Sequence, residues 1–225
     1  MKPIIKQISE FGFFTDGDMP AISVYHFNKS GQIVLEEHQD YSIEHHYLAD
    51  GNKYESLEYN GNILIEKTVY DYDDEGDLLG IKVYDGFGDL KRIDVFNWMK
   101  SGRVAYIEST KFLNYLPASR SFKRIYYRKD NQIAFSSHDG ETEKNEYDPE
   151  GKLVRSTVKL DNQSESIVTE YDSFGRVICI KPYDRSIGDL RFEYEYDENG
   201  LWTNSYSIKD NGERVLFSKR EINYY

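Results

Sequence analysis

A short motif, Tyr-Asp-x-x-Gly-x-apolar, recurs along this chain at a spacing that leaves no room for a helix. Five copies are sharp: YDDEGDL (Tyr72 to Leu78), YDGFGDL (Tyr84 to Leu90), YDPEGKL (Tyr147 to Leu153), YDSFGRV (Tyr171 to Val177) and YDENGLW (Tyr196 to Trp202). Looser copies are FNKSGQI (Phe27 to Ile33), WMKSGRV (Trp98 to Val104) and YRKDNQI (Tyr127 to Ile133), the last with Asn131 in the glycine position; YDRSIGDL carries one extra residue before Gly188. Gly175, Gly188, Gly200 and Gly212 stand 13, 12 and 12 residues apart, and Gly76, Gly88 and Gly102 stand 12 and 14 apart. Twelve residues hold one strand of roughly seven or eight residues and a tight turn of about four, which is hairpin spacing. In such a turn the Asp carboxylate bonds turn amides and the Gly supplies φ > 0, so Gly76, Gly88, Gly151, Gly175 and Gly200 are structural turn residues. The flanking Tyr and Leu or Val fall on neighbouring strands and can pack across the turn.

Between the turns the apolar period is two. In DLRFEYEYD, Leu190, Phe192, Tyr194 and Tyr196 share one face, with Arg191, Glu193 and Glu195 on the other. Such alternation marks half-buried antiparallel strands. The expected fold is all-β: a single domain over residues 1–225, a meander of roughly 14 to 18 strands curled by its twist into an open roll, solenoid or half-barrel. Residues 110–122 (TKFLNYLPASRSF) lack the turn signal and are expected to form an irregular insertion or crossover.

The Tyr-Asp-x-x-Gly series resembles the YD repeats of Rhs proteins and teneurins. The resemblance is strong from Tyr147 to Trp202, good from Tyr72 to Val104, and faint before Asn28 and across 110–122. It implies long spiralling β-sheets, which in large Rhs toxins close into a shell around a toxic domain. This chain is too short to enclose a cargo, and no toxin-like domain follows its repeats. The motif is specific for the hairpin and nearly silent about function.

Composition excludes several classes. The formal charge is −12, from 28 Lys and Arg against 40 Asp and Glu, which argues against general nucleic-acid binding. No apolar run approaches the ~18–20 residues that span a bilayer, so no membrane association is expected. The start of the chain lacks a signal-peptide pattern, and a cytoplasmic location is expected. The lone Cys179 forms no internal disulfide; it sits in an apolar strand, RVICIKPY, which favours an inert buried thiol.

Candidate chemistry is sparse. Histidines concentrate only in EEHQDYSIEHH, where His38, His45 and His46 are candidate metal ligands or acid–base groups. On strands, adjacent His45 and His46 point to opposite faces, so only one of them joins His38, with a carboxylate completing the set. Asp71-Tyr-Asp73-Asp74-Glu75-Gly76 imitates half of a calcium loop, but the twelfth position, which should be Glu, is Lys82. Ser156 and Lys159 match S-x-x-K, a pattern that needs a helix turn. No catalytic constellation and no cofactor motif emerge; the chain is expected to be neither an enzyme nor a cofactor protein.

Charge asymmetry remains. Asp71, Asp73, Asp74, Glu75 and Asp77 crowd one turn, and Glu141, Glu143 and Glu146 belong to a second acidic stretch. Lys111, Arg120, Lys123, Arg124, Arg128 and Lys129, opposed only by Asp130, make residues 111–130 basic. The acidic groups are the candidate partner-binding residues, since complementary potentials steer association. The expected function is a non-catalytic binding protein, in its specific form an immunity protein that neutralises a basic toxin domain of the Rhs or contact-dependent kind. The alternative is a surface-associated glycan-binding module, or a fragment of a larger repeat protein, using its Tyr and Trp rings as a sugar platform.

Overall fold

The computed structural model describes residues 3–13, 20–99, 104–128, 132–161, 166–184, 186 and 188–225. Gly102, Lys129, Asp130 and Asn131, singled out above, lie outside the described residues. The regular structure is strand throughout: β1 (Ile5–Gly12), β2 (Ala21–Phe27), β3 (Ile33–Glu37), β4 (Ser42–Tyr47), β5 (Lys53–Asn60), β6 (Ile63–Tyr72), β7 (Leu78–Asp85), β8 (Leu90–Trp98) and β9 (Val104–Leu113). The series continues with β10 (Leu116–Tyr127), β11 (Ile133–His138), β12 (Glu141–Tyr147), β13 (Leu153–Leu160), β14 (Ser166–Tyr171), β15 (Val177–Lys181), β16 (Leu190–Tyr196), β17 (Trp202–Ile208) and β18 (Arg214–Tyr224). Strands adjacent in sequence are hydrogen-bonded neighbours, and the registers run antiparallel, as the all-β meander requires. Two compact units divide the chain: unit 1 comprises Met1–Arg92 with Glu193–Tyr225, and unit 2 is Ile93–Phe192.

The turns are built as their residues dictate. Asp73 N donates to Asp77 O at 3.0 Å and Gly76 N donates to Asp73 O at 3.1 Å, while Asp73 Oδ1 accepts from the amides of Glu75 (3.0 Å) and Asp77 (2.8 Å). The same pattern surrounds Asp85, Asp172 and Asp197, and Asn28 reproduces it with its side-chain amide oxygen. Gly76 has φ +86° and Gly175 φ +80°, a region closed to most L-residues, which is why the turn closes on Gly. The left-handed residue inserts a bulge, so the register shifts at Tyr72, Tyr147 and Tyr171. Tyr72 then lies opposite Leu78 and Tyr147 opposite Leu153, the cross-turn pairs anticipated from the motif.

The motif tyrosine has a second role. Tyr47 OH donates to Ile33 O (2.7 Å), Tyr72 OH to Lys53 O (2.9 Å) and Tyr147 OH to Ile133 O (2.8 Å). Each hydroxyl reaches the first residues of the strand after the preceding turn on the same edge, so it fastens one repeat to the next.

In unit 1 the expectation of an open sheet is corrected. β1 pairs β2 on one side and β18 on the other, with Ile8 opposite both Tyr25 and Ile222. Glu10 reinforces the join by accepting from Arg220 Nη2 (2.8 Å), Arg220 Nε (3.0 Å) and Ser218 Oγ (3.2 Å). The first and last strands therefore satisfy each other's backbone groups, which an open roll, solenoid or half-barrel would leave as exposed edges.

In unit 2 residues 110–122 are neither an insertion nor a crossover. They form the distal half of the β9–β10 hairpin, closed by Asn114 (φ +48°) and Tyr115 (φ +64°). Two successive left-handed residues make a two-residue hairpin turn without glycine.

The interior is thin. Among the described residues the buried apolar side chains are Val83, Ala105, Ile125, Val168 and Cys179, and the buried polar ones include Ser56, Ser136, Ser156, Ser205 and Ser218. Stability must therefore come in large part from ladders, turns and side-chain hydrogen bonds.

Candidate functional site: an acidic turn edge and a histidine relay

In unit 1 the end of β6 carries Asp71, and the β6–β7 turn carries Asp73, Asp74, Glu75 and Asp77. Asp73 is committed to the turn amides. Asp71, Asp74, Glu75 and Asp77 are exposed, and none forms an ion pair among the described residues. The next turn on the same edge, between β4 and β5, adds Asp50, whose Oδ1 accepts from the Asn52 amide at 2.9 Å. Asn52 Nδ2 lies 3.5 Å from where a side chain at Gly76 would begin, so the two turns stand side by side. The same carboxylates that resembled a calcium loop are thus split between turn closure and open surface.

The second acidic group behaves differently. Along β12, Glu141 and Glu143 share a face while Glu146 points to the other. Glu141 is exposed, but Glu143 is half-buried and accepts from Ser136 Oγ (3.3 Å) and Ser156 Oγ (3.2 Å). Glu146 pairs with Lys144 at 3.2 Å. These three residues belong to unit 2 and do not make one acidic patch.

The histidine cluster resolves into a relay across β2, β3, β4 and β5. Glu36 takes His45 Nε2 on Oε1 at 2.6 Å and faces His38 Nε2 with Oε2 at 3.5 Å. A carboxylate only accepts, so the neutral His45 ring presents Nε2–H to Glu36 and leaves Nδ1 as an acceptor, whereas His38 lies beside Glu36 without a hydrogen bond to it. His38 Nδ1 bonds Ser23 Oγ (2.9 Å), and His45 Nδ1 receives Ser56 Oγ (2.9 Å). The result is a polar row, Ser23–His38–Glu36–His45–Ser56, hydrogen-bonded at each step except the 3.5 Å contact between His38 and Glu36. Tyr41 stacks on His38 with ring centroids 4.4 Å apart, and Tyr25 meets it edge-on at 5.9 Å. Lys53 Nζ lies 3.2 Å from His45 Nδ1; burial pulls its pKa down, while Glu36 opposes that shift. Burial pushes Tyr47 up, helped by Glu36 and Tyr70.

His46 points to the opposite face, 3.7 Å from Glu44. The structure therefore joins His38 and His45 through a carboxylate, as strand alternation required, and separates His46 from them. Among the described residues no three His, Cys, Asp or Glu side chains are grouped to hold a metal ion. A Ser–His–Glu sequence is also the chemistry of an activated nucleophile. Here Ser56 is only 8% exposed, and the relay serves to satisfy polar groups packed between strands. Sequence reasoning found the histidines but missed Ser23 and Ser56, whose only signal is their register opposite them.

The remaining candidates fall to structural roles. Cys179 is buried in β15, and burial first, then Asp189 and Glu170, raises its thiol pKa, which disfavours the reactive thiolate. Ser156 and Lys159 lie on one strand, pointing to opposite faces.

No protein-family model matches the sequence, and no curated protein matches it. Among solved structures, a porin-like protein from Bacteroides uniformis is 13% identical over 98% of this chain and 96% of that chain, with a TM-score of 0.49. A porin-like protein from Bacteroides vulgatus is 10% identical over 99% of both chains, with a TM-score of 0.36. The Tc holotoxin pore of Photorhabdus luminescens is 11% identical over 94% of this chain but only 14% of that chain, with a TM-score of 0.38. At scores below 0.5 the likeness transfers neither activity nor partner.

Proposed function

We propose that this YD-repeat-type protein is a non-catalytic binding protein that docks a basic protein partner on the acidic turn edge of unit 1. In its specific form it is a cytoplasmic immunity protein that covers a basic toxin domain. The observation that carries this reading is the hydrogen-bonded β6–β7 turn: it holds three exposed carboxylates, Asp74, Glu75 and Asp77, beside exposed Asp71 at the end of β6, with no ion pair among the described residues. Crowded like charges repel, and a cationic partner relieves that repulsion while being steered by it. The sugar-platform reading has less support, because Arg220 lies over the Trp202 ring at 3.7 Å and Arg214 over Tyr206 at 4.0 Å. Those ring faces are already occupied.

The test is co-production with the toxic domain encoded beside this gene, reading growth and complex formation. The expected result is protection and a salt-sensitive complex. Association should slow at least tenfold in the triple variant Asp74→Asn, Glu75→Gln, Asp77→Asn, which leaves the turn-closing Asp73 intact. Neither protection nor binding by the wild-type protein would remove the proposal's basis.

A further inference from the structure

The β9–β10 hairpin of unit 2 has the properties of a peripheral membrane anchor. β11 pairs β10 only from Lys123 to Tyr127, so residues 116–122 run past the end of β11 while still pairing with β9. On the β10 edge these seven residues, at ~3.3 Å each, leave about 23 Å of strand without β11 beside it, while β9 keeps β8 as its other neighbour. The hairpin tip is apolar and open: Leu113 is 66% exposed, Tyr115 70%, Leu116 70% and, lower down, Phe122 61%. Tyr115 holds φ +64°, a conformation that an aromatic residue adopts only at a cost.

Charge singles out the same hairpin. From Ser109 to Arg128 the sequence holds Lys111, Arg120, Lys123, Arg124 and Arg128 and no carboxylate, in a chain of net charge −12; Glu108, opposite Phe122 on the same hairpin, stands 3.6 Å from Arg120. The cations flank the tip on both faces: Lys111 and Lys123 share a face with Leu113, while Arg120 and Arg124 share the other with Phe122. Lys111 stands two residues above Leu113 and Arg120 four above Leu116, about 7 and 13 Å at strand rise. When the leucines reach the acyl boundary, ~5–10 Å deep, these cations lie at the headgroups.

We propose that this hairpin inserts its Leu113–Leu116 tip into the interface of a bilayer containing anionic lipid, held there by Lys111, Arg120 and their neighbours. This is surface attachment, distinct from spanning; no helix among the described residues is long and apolar enough to cross a membrane. It is also independent of the acidic edge of unit 1.

The test is flotation of the full chain with vesicles of phosphatidylcholine alone or with phosphatidylglycerol added, at low and high salt. Wild-type protein should float with the anionic vesicles only, and high salt should release it. The double variant Leu113→Ser, Leu116→Ser should lose at least tenfold in partitioning. The double variant Lys111→Gln, Arg120→Gln should lose about 30-fold, both variants keeping the wild-type β circular dichroism. Failure of the wild-type protein to float with anionic vesicles overturns the proposal, as does flotation unchanged in both variants. Tip-dependent capture on immobilised polyglutamate without vesicle binding would reassign the hairpin to an acidic protein and equally overturn it.

Discussion

Gly76 and Gly86 stand ten residues apart, are both turn glycines, and resist substitution for unrelated reasons. Gly76 has φ +86°, and a Cβ there would meet nothing closer than Asn52 Nδ2 at 3.5 Å. Alanine at 76 therefore bears only the left-handed strain, about 1–2 kcal/mol. Gly86 carries no such dihedral. A Cβ at 86 would lie 1.9 Å from Leu64 O, 2.8 Å from Leu64 C and 3.4 Å from Ile65 Cα, all backbone of β6. No side chain can swing aside, so the β7–β8 turn must lift off β6, which we place at about 3 kcal/mol or more. In a protein of this length one kcal/mol moves the melting temperature by roughly 2–4 °C. Gly76→Ala should thus melt a few degrees low, and Gly86→Ala about 6–12 °C low, with matching losses in urea midpoint. Asparagine, which tolerates left-handed backbone, should largely rescue position 76 and leave position 86 as damaged as alanine does. Equal destabilisation by the two alanines, or rescue of position 86 by asparagine, would refute the distinction between conformational and steric glycines.

Two further outcomes follow from the polar network. Asp197 is pushed up by burial but pulled down further by Tyr224 OH at 2.7 Å and the amides of Leu201 and Asn199, so its carboxyl sits below the usual range. A depressed carboxyl adds stability above its unfolded pKa of about 3.9 that is lost as pH falls through the lower folded value; the urea-midpoint gap between wild type and Tyr224→Phe should be full at neutral pH and shrink below about pH 4, and a gap that widened in acid would contradict the assignment. Glu36→Ala should cost about 1.5–3 kcal/mol in urea unfolding by orphaning His45 Nε2–H and removing the carboxylate beside His38, whereas Glu37→Ala, whose side chain is 53% exposed against His26, should cost under about 1 kcal/mol; equal costs would dissolve the relay.

Sequence and structure agree where the deciding contacts are local. The turn needs only Asp73 and Gly76, bonded within four residues, and these stand out in the chain as written. Strand alternation likewise separates His45 from His46. What could not be read depends on register. The turns after Tyr72, Tyr147 and Tyr171 each insert a bulge, as does the turn after Tyr47, and each bulge moves the following residues by one position against their neighbour. Whether a serine on β5 faces His45 thus depends on counting bulges that sequence does not display. Glu141 and Glu143 look alike in the chain, yet only Glu143 meets two serines from flanking strands. Residues 110–122 escaped because Asn114 and Tyr115 turn the chain without the glycine that marks the other hairpins. The pairing of β1 with β18 was invisible because Ser218 and Glu10 lie 208 residues apart.

That last pairing orders events in time. Sixteen strands lie between β1 and its partner β18 in the chain, so during synthesis that edge of β1 waits until all of them have been made. Contacts of such sequence separation are slow to form, and the waiting edge is a template for wrong pairing. Removal of β18 should therefore do more than delete eleven residues: it would expose β1 and β17 together and leave a nascent-like chain prone to aggregate. The edge of β1 is protected only once β18 has arrived.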